Sequence, residues 1–533
     1  MQCSELHAPR INAYDRYVTL LTSERSGDRS MVSPGPTVAA RDWFHDTDAK
    51  RGWIVTLVIT AICAITRFTM LRYPTDAGTP VFDEKHYAPQ GYQVLTGGGL
   101  EDNPAYGLVV HPPVGKQLIA VGEALFGYNG WGWRFSSAVA GTLLVLLVIR
   151  NVRRLARSTL VGAIAGILLT VDGVTFVSSR IGMLDIFLAL FVTAALGCLI
   201  VDRDDMRQRL SRVRDEGRMN ASAFGPRMGV RWWRFGAGIM LGLACGTKWS
   251  GLYFIAFFGL LSVAFDVAAR RSYGVQRPWR GTAVRDIGPA LYALVVVPIA
   301  VYLMTWWAWF TSETGVYRHE VGSGIGVGGP FSFVPDALRS LWFYSGSVLQ
   351  FHEGLTNSAG NRHPWESKPW TWPMGLRPML YYFADGESVS GCSASSCVKA
   401  IMLIGTPAMW WLALPMLAWT IWSVAVRRDW RYAAVLVGYS AALLPWFTTL
   451  DRQMYYFYAV ALAPFMVMGF ALVLGDIIGK ATASAERRGT GLLLVALYLA
   501  VVIANFVWLW PILTAMPITP EMWQQQLWLP SWR

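Results

Sequence analysis

The sequence predicts an all-α integral membrane protein with about eleven transmembrane helices and two long extracytoplasmic loops. Three observations carry that prediction. Of the 533 residues, 54% are hydrophobic and 15% charged, against roughly 25% charged in soluble domains, and mean hydropathy is +0.36. Eleven apolar runs approach the roughly 20 residues that cross a bilayer at about 1.5 Å each. Basic residues crowd into every second connection between those runs. The composition excludes a disordered chain, a collagen and a disulfide-rich secreted module. The net charge of +12 reads as topology-setting loops, with no nucleic-acid partner implied.

Residues 1–50 are polar, rich in Pro, Ser and Arg, and lack an apolar h-region. They read as a disordered cytoplasmic extension, with the first span as its own signal-anchor and a start at Met31 left open. The transmembrane domain, 51–520, holds spans near 52–71, 131–150, 159–178, 181–201, 232–247, 250–268, 286–311, 400–426, 432–450, 454–476 and 489–511. The tail 521–533, with its Trp and Gln, is expected at the extracytoplasmic interface. Segments 1–51, 150–157, 202–234, 269–285, 427–431 and 480–488 hold 31 of the 46 Lys and Arg, whereas loop 72–130 has only Arg72, Lys85 and Lys116. The positive-inside rule then places the N-terminus in the cytoplasm of a multi-pass plasma-membrane protein and the C-terminus outside. Arg supplies 39 of the basic residues, a bias that suits a GC-rich bacterial genome. No inverted repeat is visible, which weakens a transporter reading.

The loops 72–130 and 312–399 far exceed the roughly 15 residues beyond which a connection is usually functional, so the chemistry should face outside. In the second loop, GCSASSCV places Cys392 and Cys397 where a disulfide can persist, with two free thiols as the alternative. Two thiols are too few ligands for structural zinc.

VFDEKHY sets Asp83 and Glu84 just beyond the first span. A carboxylate there can serve as general base toward a hydroxyl, although the dipeptide alone describes a solvated acidic turn better than a site. HPPVGK, His111 to Lys116, leads into an amphipathic stretch suited to the membrane surface, with Lys116 either a phosphate ligand or an interfacial snorkel. Charges within spans weigh more, because each costs at least about 2.5–3.5 kcal/mol at the bilayer centre. Arg67, Arg134 and Lys248 lie near outer ends, and Asp185 lies just inside the fourth span, open to a plain pairing with Arg180 or Lys248. Asp172 lies within the third. Cations converging near the outer leaflet suit a phosphate leaving group. HPWESKPWTWP, with His363, Trp365, Glu366 and Trp370, could stack on a sugar or form an interfacial aromatic belt. The chain contains no P-loop, HExxH, paired CxxC or GxSxG motif. Asp83, Glu84 and His86 could ligate a divalent cation, but no DxD supports one, and the expectation is no metal and no cofactor.

Six blocks in this order, VFDEKHY, HPPVGK, WRFSS, SSRIGMLDIFLALF, GLACGTKWSGLYF and HPWESKPWTWP, resemble the protein O-mannosyltransferases, membrane glycosyltransferases of the GT-C type. The second long loop has no room for the β-trefoil MIR domain of eukaryotic members, as in bacterial, actinobacterial-type members. The resemblance implies an inverting transfer of mannose from polyprenyl-phosphate mannose to Ser or Thr of secreted proteins or lipoproteins, near the secretion translocon. It implies Asp83 as base, with Glu84 orienting a neighbour or shaping the acceptor site. Arg134 is implied at the lipid phosphate, with Lys248 and Lys116 as further phosphate candidates. Arg67 is implied beside the acids, with His111 and Asp185 in support. Another GT-C enzyme acting on a different lipid-linked sugar, and a lipid-glycan transporter, are the competing readings.

Overall fold

The computed structural model describes residues 49–533 apart from 104–106, 108, 359, 361–362 and 388. The predicted tail therefore lies outside the described residues, except for Ala49 and Lys50, which open the first helix. Each of the eleven predicted spans contains a helical segment. Among the described residues, seven helices are long and apolar enough to cross a membrane: α1 (Ala49–Phe68), α4 (Gly130–Ala156), α7 (Asp185–Asp215), α9 (Gly251–Ser272), α10 (Ile287–Thr305), α12 (Pro407–Ala425) and α15 (Ala485–Thr514). The other four predicted spans are shorter or broken: α5 (Thr159–Thr170) with α6 (Gly173–Ser178), α8 (Trp232–Thr247), α13 (Trp430–Leu443) and α14 (Ala463–Ile478). Loop 72–130 contributes α2 (Glu84–Thr96) and α3 (Val114–Phe126), and the second long loop contributes α11 (Asp336–Gly354).

Local chemistry sets the boundaries. Asn129 caps α4 by accepting from the amides of Trp131 and Gly132, and Ser158 caps α5 at the amide of Val161, each satisfying donors a helix start leaves open. The break between α5 and α6 explains the acid inside the third predicted span. Asp172 caps α6 by accepting from Thr175 at 2.9 Å and also takes the indole N–H of Trp410 at 2.7 Å.

One expectation needs correction, and others gain detail. The eighth span was placed from residue 400, but Lys399–Leu403 is a strand, β2, antiparallel to β1 (Met379–Ala384). Four of its five residues are buried, so its apolar run reflects a covered strand that hydropathy alone cannot separate from a span. Cys392 and Cys397 are joined by a disulfide between the two strands, as the loop spacing suggested. The Trp-rich tail folds back onto the protein: Trp532 is buried in the main core, Gln526 donates to the carbonyl of Trp508, and Arg377 binds the carbonyl of Ser531. Some basic residues credited to topology are built into the core. Arg231 and Arg234 share Asp202 and Asp266 in a buried four-residue network joining α7, α8 and α9, and Arg270 forks onto Asp286. This network and the loops 72–130 and 312–399 mark opposite ends of the bundle.

One buried acid has no partner. Glu123 on α3 is buried, and neither carboxyl oxygen finds a hydrogen bond among the described residues. Burial pushes it up to about 8. A carboxyl raised in the folded state loses stability as pH climbs from its unfolded value toward that figure. Glu123→Gln should therefore raise the melting temperature by an amount that grows between pH 5 and pH 8 and then levels off. Thermal unfolding in detergent across that range checks this, and a pH-independent difference would contradict it.

Candidate active site

The end of the bundle that carries both long loops is held by arginines on backbone carbonyls. Arg67, at the last turn of α1, is buried and donates to the carbonyls of Thr170 at 2.7 Å and Leu169 at 3.3 Å, at the end of α5. Arg180 returns the contact, donating to the carbonyls of Arg67 and Thr69 at the end of α1. The ring of Phe176 lies under both guanidinium groups, 5.0 and 5.3 Å away. A cation at a helix C-terminus neutralises the dipole and satisfies its open carbonyls. Arg67 thus staples helices and does not pair with the acids of loop 72–130.

Beside this staple lies the buried pair Glu84–Arg134. Arg134 donates through Nε and Nη2 to the two Glu84 oxygens at 2.7 and 2.8 Å, and through Nη1 and Nη2 to the carbonyls of Leu71 and Pro74. Glu84 also accepts the amides of Gly182 at 2.6 Å and Val81 at 3.1 Å. Gly182 has to be glycine, since an added Cβ would sit 2.9 Å from the carbonyl oxygen of Trp133. With every guanidinium nitrogen engaged and no exposed surface, Arg134 is not placed to hold a lipid phosphate. Glu84 is a clamp and shapes no acceptor surface directly.

The clamp presents Asp83. Phe82 adopts the left-handed region at φ 51°, a strained choice for a bulky residue, with its ring stacked on Tyr381 at 4.4 Å. Asp83 then begins α2, yet its side chain makes no cap hydrogen bond, and no described residue donates to its half-buried carboxylate. Burial pushes Asp83 up to about 6, while Lys248 pulls it down and Asp185 pushes it up. Lys248, at the α8–α9 turn, binds both oxygens of Asp185 at 2.8 and 2.9 Å and faces the rings of Phe457 and Tyr458 at 5.2 and 5.5 Å. Asp185 therefore takes the plain pairing with Lys248.

A second group of residues surrounds the same space. His111 lies 5.8 Å from the ring of His352 and 6.1 Å from that of Tyr87. Burial, with Lys248, His352, Lys116 and Arg452 adding to it, holds His111 well below its usual value. His352 is held at about 4 by burial and by Arg452 and Lys248, so both imidazoles are neutral at pH 7. Arg452, which the sequence reading passed over, contacts Nδ1 of His352 at 3.2 Å and lies over Trp446. Its buried Nε has no partner, and it forms no ion pair among the described residues. The available signal was an arginine two residues before the aromatic run MYYFY at the edge of a span. Tyr381 is also new: its ring is buried and its hydroxyl unpartnered.

Other expected residues lie elsewhere. Lys116 is wholly buried against Glu101 at 2.7 Å and bonds the carbonyl of His111, so it anchors the loop and cannot meet a phosphate. Glu366 pairs with Lys368 and accepts from Asn357. Trp365 stacks with Arg377, and Trp370 is exposed. Glu366 and Lys368 line a separate cavity of about 660 Å³ with Arg377 and Ser531. The motif reaches the Asp83 side at three points: His363 is edge-on to Tyr455 at 5.3 Å, Lys368 donates to the carbonyl of Arg452 at 3.1 Å, and Trp372 packs edge-on against Trp446 and Tyr458. Among the described residues, no group of three or more His, Cys, Asp or Glu could hold a metal ion. The arrangement offers a carboxylate free to accept a proton, two cations and a wall of aromatic rings.

The chain matches the family model "Dolichyl-phosphate-mannose-protein mannosyltransferase" over residues 127–312 and "C-terminal four TMM region of protein-O-mannosyltransferase" over 337–532. It is 61% identical over 503 residues to the polyprenol-phosphate-mannose–protein mannosyltransferase of Mycobacterium tuberculosis, covering 94% of this chain and 96% of that one. It is 45% identical over 483 residues to that of Corynebacterium glutamicum, covering 89% and 92%. Its fold is similar to a chain of the donor-bound Pmt1–Pmt2 complex of Saccharomyces cerevisiae, with TM-score 0.67 and 15% identity over 91% of this chain and 93% of that chain.

Breaking a buried pair costs about 3–5 kcal/mol, because the remaining charge stays buried. Arg134→Met, and also Arg134→Lys, which cannot fork, should lower the melting temperature of the detergent-solubilised protein sharply. An unchanged melt in either variant would remove the clamp from the stability of this end of the bundle.

Proposed function

The chain belongs to the protein O-mannosyltransferase family, and on that premise we propose that it transfers mannose from polyprenol-phosphate mannose to Ser and Thr hydroxyls of exported proteins. The observation that carries the mechanism is Asp83: a half-buried carboxylate that accepts no hydrogen bond from the described residues and feels the charge of Lys248. The acceptor hydroxyl oxygen attacks C1 of the mannosyl group and its proton passes to Asp83. The C1–O bond to phosphate breaks, and its electron pair leaves with polyprenyl phosphate. Lys248 and the unpaired Arg452 stabilise that anion, which is where fixed positive charge has most effect. Glu84 is held by four hydrogen bonds and cannot act as a second, nucleophilic carboxylate. A single displacement with inversion follows.

The site opens on the extracytoplasmic face in this reading, with the N-terminus in the cytoplasm. The Cys392–Cys397 disulfide suits an oxidising compartment, and the basic connections belong to the opposite end. Acceptors then arrive as secreted proteins or lipoproteins leaving the translocon. Lys248 and Arg452 supply the positive charge a metal would otherwise bring, so transfer should persist with chelator present.

Purified protein with radiolabelled donor and a Thr-rich acceptor peptide tests the assignment. Asp83→Asn should lower kcat by about 100- to 10,000-fold, the usual range for a general base. Persistence of wild-type transfer in that variant would sink Asp83 as the base. Because Asp83 must be ionised to accept the proton, kcat/KM should fall as pH drops through about 6. Lys248 draws that value down, so Lys248→Met should move the acid limb upward; a downward shift in the pH profile would contradict the electrostatic account.

A further inference from the structure

The second long loop carries an apolar surface that the transfer reaction leaves unused. On α11, Leu341, Tyr344 and Val348 face inward and pack on Trp306 and Trp309 at the end of the span formed by α10. A second stripe of the same helix, Leu338, Trp342 and Leu349, is exposed, with Trp342 at 81%. The preceding loop adds Phe331 at 68% and Phe333 at 80%, their rings 6.4 Å apart. This is a built element. Arg339 binds the carbonyls of Gly326 and Val327, and the amide of Glu320 donates to Ser340, so loop and helix are fastened together. A helix apolar on two faces, one of them turned to solvent, calls for a second apolar environment.

We propose that α11 and the loop 320–335 form a lipid-docking element, lying in the leaflet on the active-site side with Phe331, Phe333 and Trp342 inserted at the headgroup boundary. Continuity with the bilayer-facing surface selects lipid over a protein partner. The inward face of α11 rests on Trp306 and Trp309 of the short aromatic segment that follows α10, and Met304 at the end of α10 and Trp307 just after it are exposed at 71% and 70%. Tryptophan and other amphipathic rings concentrate at this depth, and a helix with large apolar residues on its membrane face lies in the interface plane. The last turn of α11 carries His352, which contacts Arg452. The lipid surface is thus tied through one helix to the group assigned to the donor phosphate, a consequence that rests on the proposed function.

Two measurements on the full chain in lipid nanodiscs separate these claims. A spin label at Trp342→Cys or Phe333→Cys should show high accessibility to oxygen and low accessibility to a water-soluble nickel chelate, opposite to a label at Glu313→Cys, whose side chain is 84% exposed. Nickel accessibility matching the Glu313 site would overturn lipid docking whatever the enzyme's substrate. In transfer assays, Phe333→Glu with Trp342→Glu should raise KM for the lipid-linked donor about tenfold, the effect of roughly 1.4 kcal/mol, with KM for the acceptor peptide unchanged. Phe333→Leu with Trp342→Leu should restore the donor KM. A rise confined to the acceptor KM would assign the surface to the acceptor protein and reject the proposal. Loss of all transfer in wild type, with the label still in lipid, would reject the functional reading alone.

Discussion

The Glu84–Arg134 pair is the constraint on which the active end of this molecule depends. Two charges taken out of water are tolerable only when every lone pair and N–H is met. Here the demand is met by chain segments far apart in sequence: the turn after α1, the start of α2, the first turns of α4 and the amide of Gly182 before α7. None of these segments can shift without exposing a buried charge. Asp83 is the residue next to Glu84, so the position of the free carboxylate is set by the engaged one. The adjacent acids look redundant in sequence, yet they divide the work: one fixes geometry, the other stays available.

The same division runs through the cations. Arg67, Arg134, Arg180 and Lys116 all lie near the site, and all are directed at carbonyls or carboxylates of the protein itself. Lys248 is half committed, sharing Asp185, and Arg452 has no carboxylate partner among the described residues. An incoming phosphate would meet the cations with the least protein competition, since displacing an existing buried pair leaves an orphaned charge. Proximity to the site is therefore a poor guide to phosphate binding, and the count of unsatisfied donors is a better one.

Much of the architecture was legible in the sequence because hydropathy and basic-loop alternation report directly on burial in lipid. Each of the eleven apolar runs contains helix, and the disulfide was legible in the loop spacing, whereas Asp83 was told from Glu84 only by the family resemblance. What escaped depended on partners distant in the chain. Arg134 and Glu84 are 50 residues apart, and nothing in either motif says that they meet. Lys116 resembles a loop lysine until Glu101 covers it. The strand Lys399–Leu403 imitates a span because a strand buried on both faces is as apolar as a helix in lipid. Arg452 was hidden by the habit of reading a charge at a span's edge as a topological marker.

The remaining question is why neutral imidazoles sit beside the cations. Burial and the surrounding positive charge keep His111 and His352 unprotonated. Were both charged, four cations would surround one phosphate, and the departing polyprenyl phosphate would be held as tightly as the transition state. Binding ground state, product and transition state alike does not accelerate the chemical step. A neutral imidazole can position Arg452 without adding charge of its own. The contact of His352 with Arg452 at one end of α11, and the apolar stripe along that helix, place orientation of the phosphate ligand and attachment to the membrane on one rigid element. The polyprenyl chain cannot leave the bilayer cheaply, at about 0.8 kcal/mol for each CH₂ exposed. A site for its phosphate must therefore be held at a fixed depth, and a helix resting on the lipid surface is a direct way to hold it there.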